Sequence, residues 1–135
     1  MEKRRQTRAF LAEGICMARG TGGELPKEGV NVSNLGADGC CLELPARQTG
    51  TFLPEHQKIS LELIQPWLPN HALKGEIQWQ REERTRGRTL LRVGVKFLET
   101  ADGYLAELDR VVDGIVHSNL RGNAWILAKL QRGQS

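Results

Sequence analysis

Apolar and polar side chains alternate along several short segments of this chain, and turn-forming residues separate the segments. In the segment 29–33, Val30 and Val32 share one face while Asn31 and Ser33 share the other. A period of two residues is typical of a half-buried β-strand and does not fit an amphipathic helix. Most of the chain is therefore predicted to form short strands around one core, as in an all-β barrel or sandwich.

Six segments show this strand pattern: 8–18, 29–33, 40–44, 59–63, 73–79 and 89–97. The first has a mixed phase, and residues 81–87 are predicted to form a charged hairpin tip before the last. One face of the last strand is predicted to carry Thr89, Leu91, Val93, Val95 and Phe97. After Glu99 the apolar residues recur at helical spacing, which predicts one amphipathic helix over 101–116, capped by Thr100 or Asp102.

A length of 135 residues is typical of a single domain. We expect this domain to span residues 1–118. A tail over 119–135 carries an apolar cluster that can form a short helix against the barrel or a partner: Trp125, Ile126, Leu127 and Leu130. No apolar run reaches the roughly 20 residues that cross a bilayer, and the charged N-terminus does not resemble a secretory signal.

The charge of the chain is nearly balanced although arginine is abundant. Nineteen Lys and Arg residues face 16 Asp and Glu residues, and 13 of the 19 are Arg. A net charge of +3 argues against a surface that coats a large polyanion. Arginine is suited to bidentate contacts with phosphate and to stacking on planar bases. The composition is therefore compatible with a compact anionic ligand that a few arginines hold.

Sequence motifs for catalysis, for metals and for cofactors are absent. Gly20 and Gly22 begin a G-x-G, but Leu25 occupies the third glycine position. The three histidines are scattered, and no G-x-S-x-G occurs. We therefore expect no enzyme, no metal and no cofactor.

The three cysteines fit a reducing cytoplasm, because an odd number with an adjacent pair makes a disulfide framework unlikely. They are Cys16, Cys40 and Cys41. In the adjacent pair we expect one buried residue and one that faces outward.

Two spaced motifs stand out. Arg4 and Arg8 form an R-x-x-x-R before the first strand, a spacing that also joins Arg84 to Arg88 and Arg88 to Arg92. The second motif, N-x-S-x-x-G, occurs once, over residues 31–36, and begins 23 positions after Arg8. It lies at the end of a strand, with Asn31 and Ser33 predicted on the outward face.

In this order and register, the two motifs resemble those of the PilZ domain family. The segment G-V-K-F over 94–97, followed by a helix, is similar to a late strand of that family, and the resemblance spans about residues 2–117. It implies a six-stranded antiparallel β-barrel with a C-terminal helix. It also implies that the chain binds cyclic di-GMP, a bacterial second messenger with two phosphates and two guanines.

The resemblance assigns roles to the matched residues. Arg4 and Arg8 would close over the ligand, forking onto phosphate or pairing with guanine. Asn31 and Ser33 would bond a guanine edge, and Gly36 would let the base approach the backbone. The same polar residues can also build a solvated terminus and a turn.

Two further residues are candidates for the site. Arg5 lies between the motif arginines and could add a contact. Trp79 has two readings, since it could stack on a guanine but has the phase of the core residues Leu73 and Ile77.

We expect a stand-alone cytoplasmic receptor, monomeric or homodimeric, that relays the signal to a separate protein. The alternative is an adaptor of the same fold, related to pili or motility, that does not bind nucleotide. The intact arginines argue against that alternative. A single-stranded nucleic-acid binder would need exposed aromatic residues on its strands, and the chain has only seven aromatic residues. We therefore expect no nucleic-acid polymer and no membrane insertion.

Overall fold

The structure is a computed structural model that describes residues 8–45, 54–98 and 103–119. These ranges contain seven strands and one helix: β1 (Ala9–Phe10), β2 (Met17–Gly20), β3 (Val30–Gly36), β4 (Gly39–Pro45), β5 (Lys58–Ile64), β6 (His71–Thr85), β7 (Arg88–Phe97) and α1 (Tyr104–Asn119). Six strands form a closed antiparallel barrel in the order β3-β2-β5-β6-β7-β4, which the pairing of β3 with β4 completes. β1 lies outside the barrel on β3. The predicted fold class is confirmed.

Alternation of apolar residues fills the barrel interior. On β3, Val32 is fully buried and Asn31 is half-buried, and β5 buries Leu61 and Leu63 in the same way. One stripe of α1 is buried with this core and contains Leu108, Val112 and Ile115. In the described part of the chain, no helix is long and apolar enough to cross a membrane.

The predicted first strand, 8–18, is wrong in that two strands replace it. β1 and β2 both pair with β3, and Leu11 and Cys16 bond β3 on either side of a short excursion. Gly14 adopts a φ of +88° in that excursion, a conformation that favours glycine. The excursion shifts the phase of the residues after it, which explains the mixed pattern of the segment.

The β6–β7 hairpin is longer than predicted. Residues 81–87 do not form a loop, because β6 continues to Thr85 and pairs with Arg88 across a two-residue turn. Arg86 and Gly87 have φ values of 51° and 75°, as in the I′ turns that suit two-residue hairpins. Thr89 lies near this tip and is exposed, whereas Leu91, Val93, Val95 and Phe97 of the same predicted face are buried.

The helix begins at Tyr104 and ends at Asn119, later at both ends than the predicted 101–116. Its predicted caps, Thr100 and Asp102, lie outside the described residues. The apolar cluster of the predicted tail also lies outside them.

The three cysteines are free thiols, and all three are buried. Cys40 belongs to the core cluster and Cys41 lies on the outward side of β4, as predicted, but neighbouring groups cover Cys41, which is only 3% exposed. The Cys41 thiol lies 3.9 Å from the carbonyl oxygen of Leu42, to which it can donate. Burial raises the pKa of Cys16 to about 12 and that of Cys40 well above its ordinary value.

These thiols are expected to be unreactive in the folded protein. The thiolate is the nucleophile. Burial shields all three sulfurs from the reagent, and the raised pKa of Cys16 and Cys40 suppresses their thiolates as well. At pH 8, Ellman's reagent should label the cysteines that the structure describes only at the rate of unfolding, and should label all three at once in denaturant. Fast labelling of one thiol in the native protein would contradict the described burial.

Candidate ligand-binding surface

Four neighbouring strands, β3, β4, β7 and β6, present one continuous outward face. Cross-strand pairing aligns one row of residues: Asn31, Glu43, Arg92 and Arg81. The adjacent row is Asn34, Cys41, Gly94 and Trp79. Directly opposed residues of antiparallel strands point to the same side of the sheet. We call these two rows, with Ser33 and Arg8, the candidate surface.

Arg92 is the centre of an ion-pair network at one end of the surface. Its Nη1 lies 2.8 Å from Oε2 of Glu43, and its Nε lies 2.6 Å from Oε1 of Glu83. The hydrogen bond to Glu83, with the nearby charge of Glu43, raises the pKa of Arg92, and the same bond lowers the pKa of Glu83. Because two carboxylates offset its charge, Arg92 serves to organise its neighbours rather than to attract an anion.

The two polar motif residues of β3 contact this network. Asn31 donates from Nδ2 to Oε1 of Glu43 at 2.9 Å, and its Oδ1 accepts from the backbone N–H of Gly14 at 2.9 Å. The Ser33 hydroxyl lies 3.3 Å from Nη1 of Arg92. Asn31 therefore ties the excursion between β1 and β2 to the barrel, and Ser33 remains only weakly engaged.

A pocket of about 240 Å³ lies at the other end of the surface. Its lining combines two basic side chains, a carboxylate, an amide and an aromatic ring: Arg8, Asp38, Gln78, Trp79, Gly94, Val95 and Lys96. The volume is below that of typical sites for drug-sized ligands, which start at about 300 Å³. It suits one part of a larger ligand, such as a single base or phosphate.

Arg8 is oriented by three hydrogen bonds at the edge of this pocket. Its Nε donates to Oδ1 of Asp38 at 3.0 Å, and its Nη2 donates to Oδ2 at 3.4 Å. Its Nη1 donates to Oδ1 of Asn34 at 2.7 Å. A guanidinium carries five N–H donors, so two donors of Arg8 have no partner among the described residues.

Trp79 is part of the pocket and not of the core, so the core reading of this residue is wrong. A register shift between Ile77 and Trp79 changes the phase, which buries Ile77 and leaves Trp79 44% exposed. A Cβ on Gly94 would lie 2.2 Å from Nε1 of Trp79. The absence of a side chain at Gly94 thus lets the indole lie against β7. The guanidinium carbon of Arg81 is 5.7 Å from the ring centroid, within the range of a cation–π contact.

The structure brings the predicted site residues onto one surface but in two groups. Asn31 and Ser33 lie at the Arg92 end, and Arg8 and Trp79 line the pocket. Gly36, which pairs with Gly39, lies at the pocket end of the same strand. Arg4 and Arg5 lie outside the described residues.

Sequence reasoning missed several polar residues of this surface. Asn34 occupies an unspecified position of the second motif, and Asp38 lies two residues beyond the end of that motif. Arg92 and Lys96 had the outward phase on their strand, a signal that was visible but not tied to the site. Among the described residues, no cluster of His, Cys, Asp and Glu side chains could hold a metal ion.

Solved structures with the same fold include two that contain c-di-GMP. MrkH of K. pneumonia, in a complex with c-di-GMP, aligns with a TM-score of 0.74 at 11% identity, over 90% of this chain and 56% of that one. The PilZ domain of Escherichia coli YcgR with c-di-GMP aligns with a TM-score of 0.60 at 14% identity, over 87% and 95% of the two chains.

A third structure is that of MotI of Bacillus subtilis, an inhibitor of motility. It aligns with a TM-score of 0.63 at 12% identity, over 90% of this chain and 54% of that one. The chain therefore spans about half the length of MrkH and MotI. At these identities the likeness supports the fold.

No curated protein sequence matches the chain. The sequence model of the PilZ domain family, however, matches residues 2–114, which include both motifs and all seven strands. That match covers most of the chain, and the closed barrel with its outer strand and helix agrees with it. The chain belongs to the PilZ domain family.

Proposed function

We propose that this chain binds cyclic di-GMP at the candidate surface. The observation that carries the proposal is the pocket in which Arg8, the described arginine of the first motif, meets the exposed ring of Trp79. A guanidinium with two donors that no described residue takes and an aromatic ring that is 44% exposed are groups that can bind the phosphate and the base of a guanine nucleotide. The structures of MrkH and of the YcgR PilZ domain in complex with c-di-GMP support the same ligand class.

Charge in the pocket favours an anion. Arg8 and Lys96 contribute two positive charges and Asp38 one negative charge, so the pocket wall carries a net charge of +1 at neutral pH. A phosphate can take the free N–H donors of Arg8. A guanine can stack on Trp79, and such stacking is tolerant of the base but strong.

The remaining motif residues complete the proposed site. Ser33, whose hydroxyl is weakly engaged, can bond a guanine edge, and Asn31 beside it can do so by exchanging its bond to Glu43. Gly36 leaves the surface free of a side chain beside Arg8. Arg4 and Arg5 would add donors from the segment before Arg8, closing over the ligand.

The signal would pass to a separate protein through a surface that ligand binding changes. Ordering of a segment by an anion is a common form of switch, and Arg8 directly precedes β1, which lies on β3. Helix α1 contacts both β1 and β3, which gives a continuous route from Arg8 to another face of the barrel. The proposal involves no catalysis, and the free cysteines agree with action in a reducing compartment.

Titration calorimetry with cyclic di-GMP tests the site. Arg8→Ala removes charge-assisted hydrogen bonds that are each worth ~1.5–3 kcal/mol, so the affinity should fall about tenfold or more. Arg19→Ala is a matched control, because Arg19 pairs with Glu62 on β2 and β5, outside the candidate surface. An absence of binding heat with the unaltered chain would favour the non-binding adaptor instead.

Tryptophan fluorescence tests the stacking role of Trp79. Ligand addition should quench the emission, and the quenching should disappear in Trp79→Phe but persist in Trp67→Phe. Trp79→Ala should lower the affinity by the ~1–3 kcal/mol that a stacked base contributes, roughly 5- to 150-fold. Equal quenching in Trp79→Phe would place the base elsewhere.

Amide hydrogen exchange tests the closure of the N-terminal segment. Residues 1–8 should become protected when cyclic di-GMP is added, because Arg4, Arg5 and Arg8 would then share one ligand. Strand β5, which pairs with β2 and β6 and carries none of the proposed contacts, is the internal reference. Exchange in residues 1–8 that the ligand leaves unchanged would refute the closure while leaving the pocket intact.

A further inference from the structure

The tip of the β3–β4 hairpin gives Arg8 a path with no side chain in its way. The β1–β3 register pairs Ala9 with Leu35, so Gly36 is the next position along, opposite Arg8. Gly36 in turn pairs with Gly39. At Gly39 a Cβ would lie 2.0 Å from the carbonyl oxygen of Val95, so no other residue fits this backbone. The guanidinium of Arg8 can therefore extend across the hairpin toward β7.

Two side chains of this hairpin accept hydrogen bonds from the Arg8 guanidinium and hold it in place. Asp38 accepts from Nε and Nη2, and Asn34 accepts from Nη1, at distances of 3.0, 3.4 and 2.7 Å. Backbone pairing connects the segments that carry these three residues. Arg8 directly precedes β1, which pairs with β3, Asn34 lies on β3, and Asp38 lies in the turn from β3 to β4. We call these two acceptors, Asp38 and Asn34, the Arg8 clamp. Together they fix both the position and the plane of the guanidinium.

The Arg8 clamp leaves part of the guanidinium accessible to a ligand. Two N–H donors of the guanidinium are not engaged by Asp38 or Asn34. The side chains of Arg8 and Asp38 remain 34% and 35% exposed, so ligand has access to the pair. Lys96 in the same pocket offsets the negative charge of Asp38. A ligand can therefore bind the free edge of Arg8 without displacing the carboxylate.

We propose that Asn34 and Asp38 are positioning residues that pre-organise Arg8 for its ligand, an inference that rests on the proposed function. β1 is only two residues long, so backbone pairing alone holds Arg8 poorly. A guanidinium that is already immobile loses less conformational freedom on binding. In this chain the recognition element is thus N-x-S-N-x-G-x-D over residues 31–38, in which two positions act through Arg8 rather than on the ligand.

A double-mutant cycle measured by calorimetry with cyclic di-GMP tests the inference. Asp38→Ala should weaken binding roughly two- to tenfold, the range that immobilising one long side chain implies. Asp38→Asn keeps an acceptor of the same shape and should lose less. In the Arg8→Ala background, Asp38→Ala should have no further effect. Glu62→Ala, which removes the carboxylate of the Arg19 pair on another face, is the control and should bind as the unaltered chain does.

Three outcomes would overturn the inference. Tighter binding by Asp38→Ala would show that the carboxylate competes with the ligand. Equal weakening with and without Arg8 would show that Asp38 acts on the hairpin and not through the arginine. A complete lack of binding by the unaltered chain would contradict the proposed function itself, and this inference with it. The Nε–H resonance of Arg8 gives a ligand-free check, because it should be protected from solvent exchange and should lose that protection in Asp38→Ala.

Discussion

The pairing of β3 with β4 is the interaction on which the rest of this structure depends. It closes the barrel. Without it, the other pairings in the order β3-β2-β5-β6-β7-β4 would leave an open sheet with β3 and β4 at its edges. It also builds the candidate surface, because it places Asn31 opposite Glu43 and ends in a turn that presents Asp38 to Arg8. Barrel closure and the geometry of the site therefore have one physical cause, the register of a single hairpin.

Register irregularities shape the surface that this closure creates. On β3 the pairing shifts between Val32 and Asn34, so Asn34 lies opposite Cys41 although Val32 pairs with Leu42. On β6 a similar shift turns Trp79 out of the core. Bulges of this kind re-aim side chains at a local cost in pairing. Here they bring an amide and an indole onto the same outward row.

The arginines of the surface differ in what surrounds them. Arg92 is held between Glu43 and Glu83, and its neighbours raise its pKa. Among the described residues, Arg8 has one carboxylate partner and a lysine in the same pocket, and two of its donors are unpaired. The first arrangement stabilises the barrel wall, whereas the second leaves positive charge for a ligand. The same residue type thus serves structure at one end of the surface and recognition at the other.

Much of the fold followed from the sequence because the period of apolar residues reports which face of a strand is buried. Strands β3 and β5 and the amphipathic character of α1 were readable for that reason. The first predicted strand and the hairpin tip were not, because the excursion at Gly14 and the I′ turn at Arg86 depend on backbone φ values that composition does not reveal. The same limit applies to the outward turn of Trp79, which a register shift between two strands decides.

By itself, the sequence determined the family, the faces of the strands, and the order of the arginine and N-x-S-x-x-G motifs. Those properties are local, since each depends on residue type and spacing along one segment. Only the tertiary structure decided that Asp38 and Asn34 hold Arg8, that Arg92 is neutralised by Glu83, and that Gly94 makes room for Trp79. These contacts join residues that lie nine to 30 positions apart in the chain, and the cross-strand register of the closed barrel brings them together.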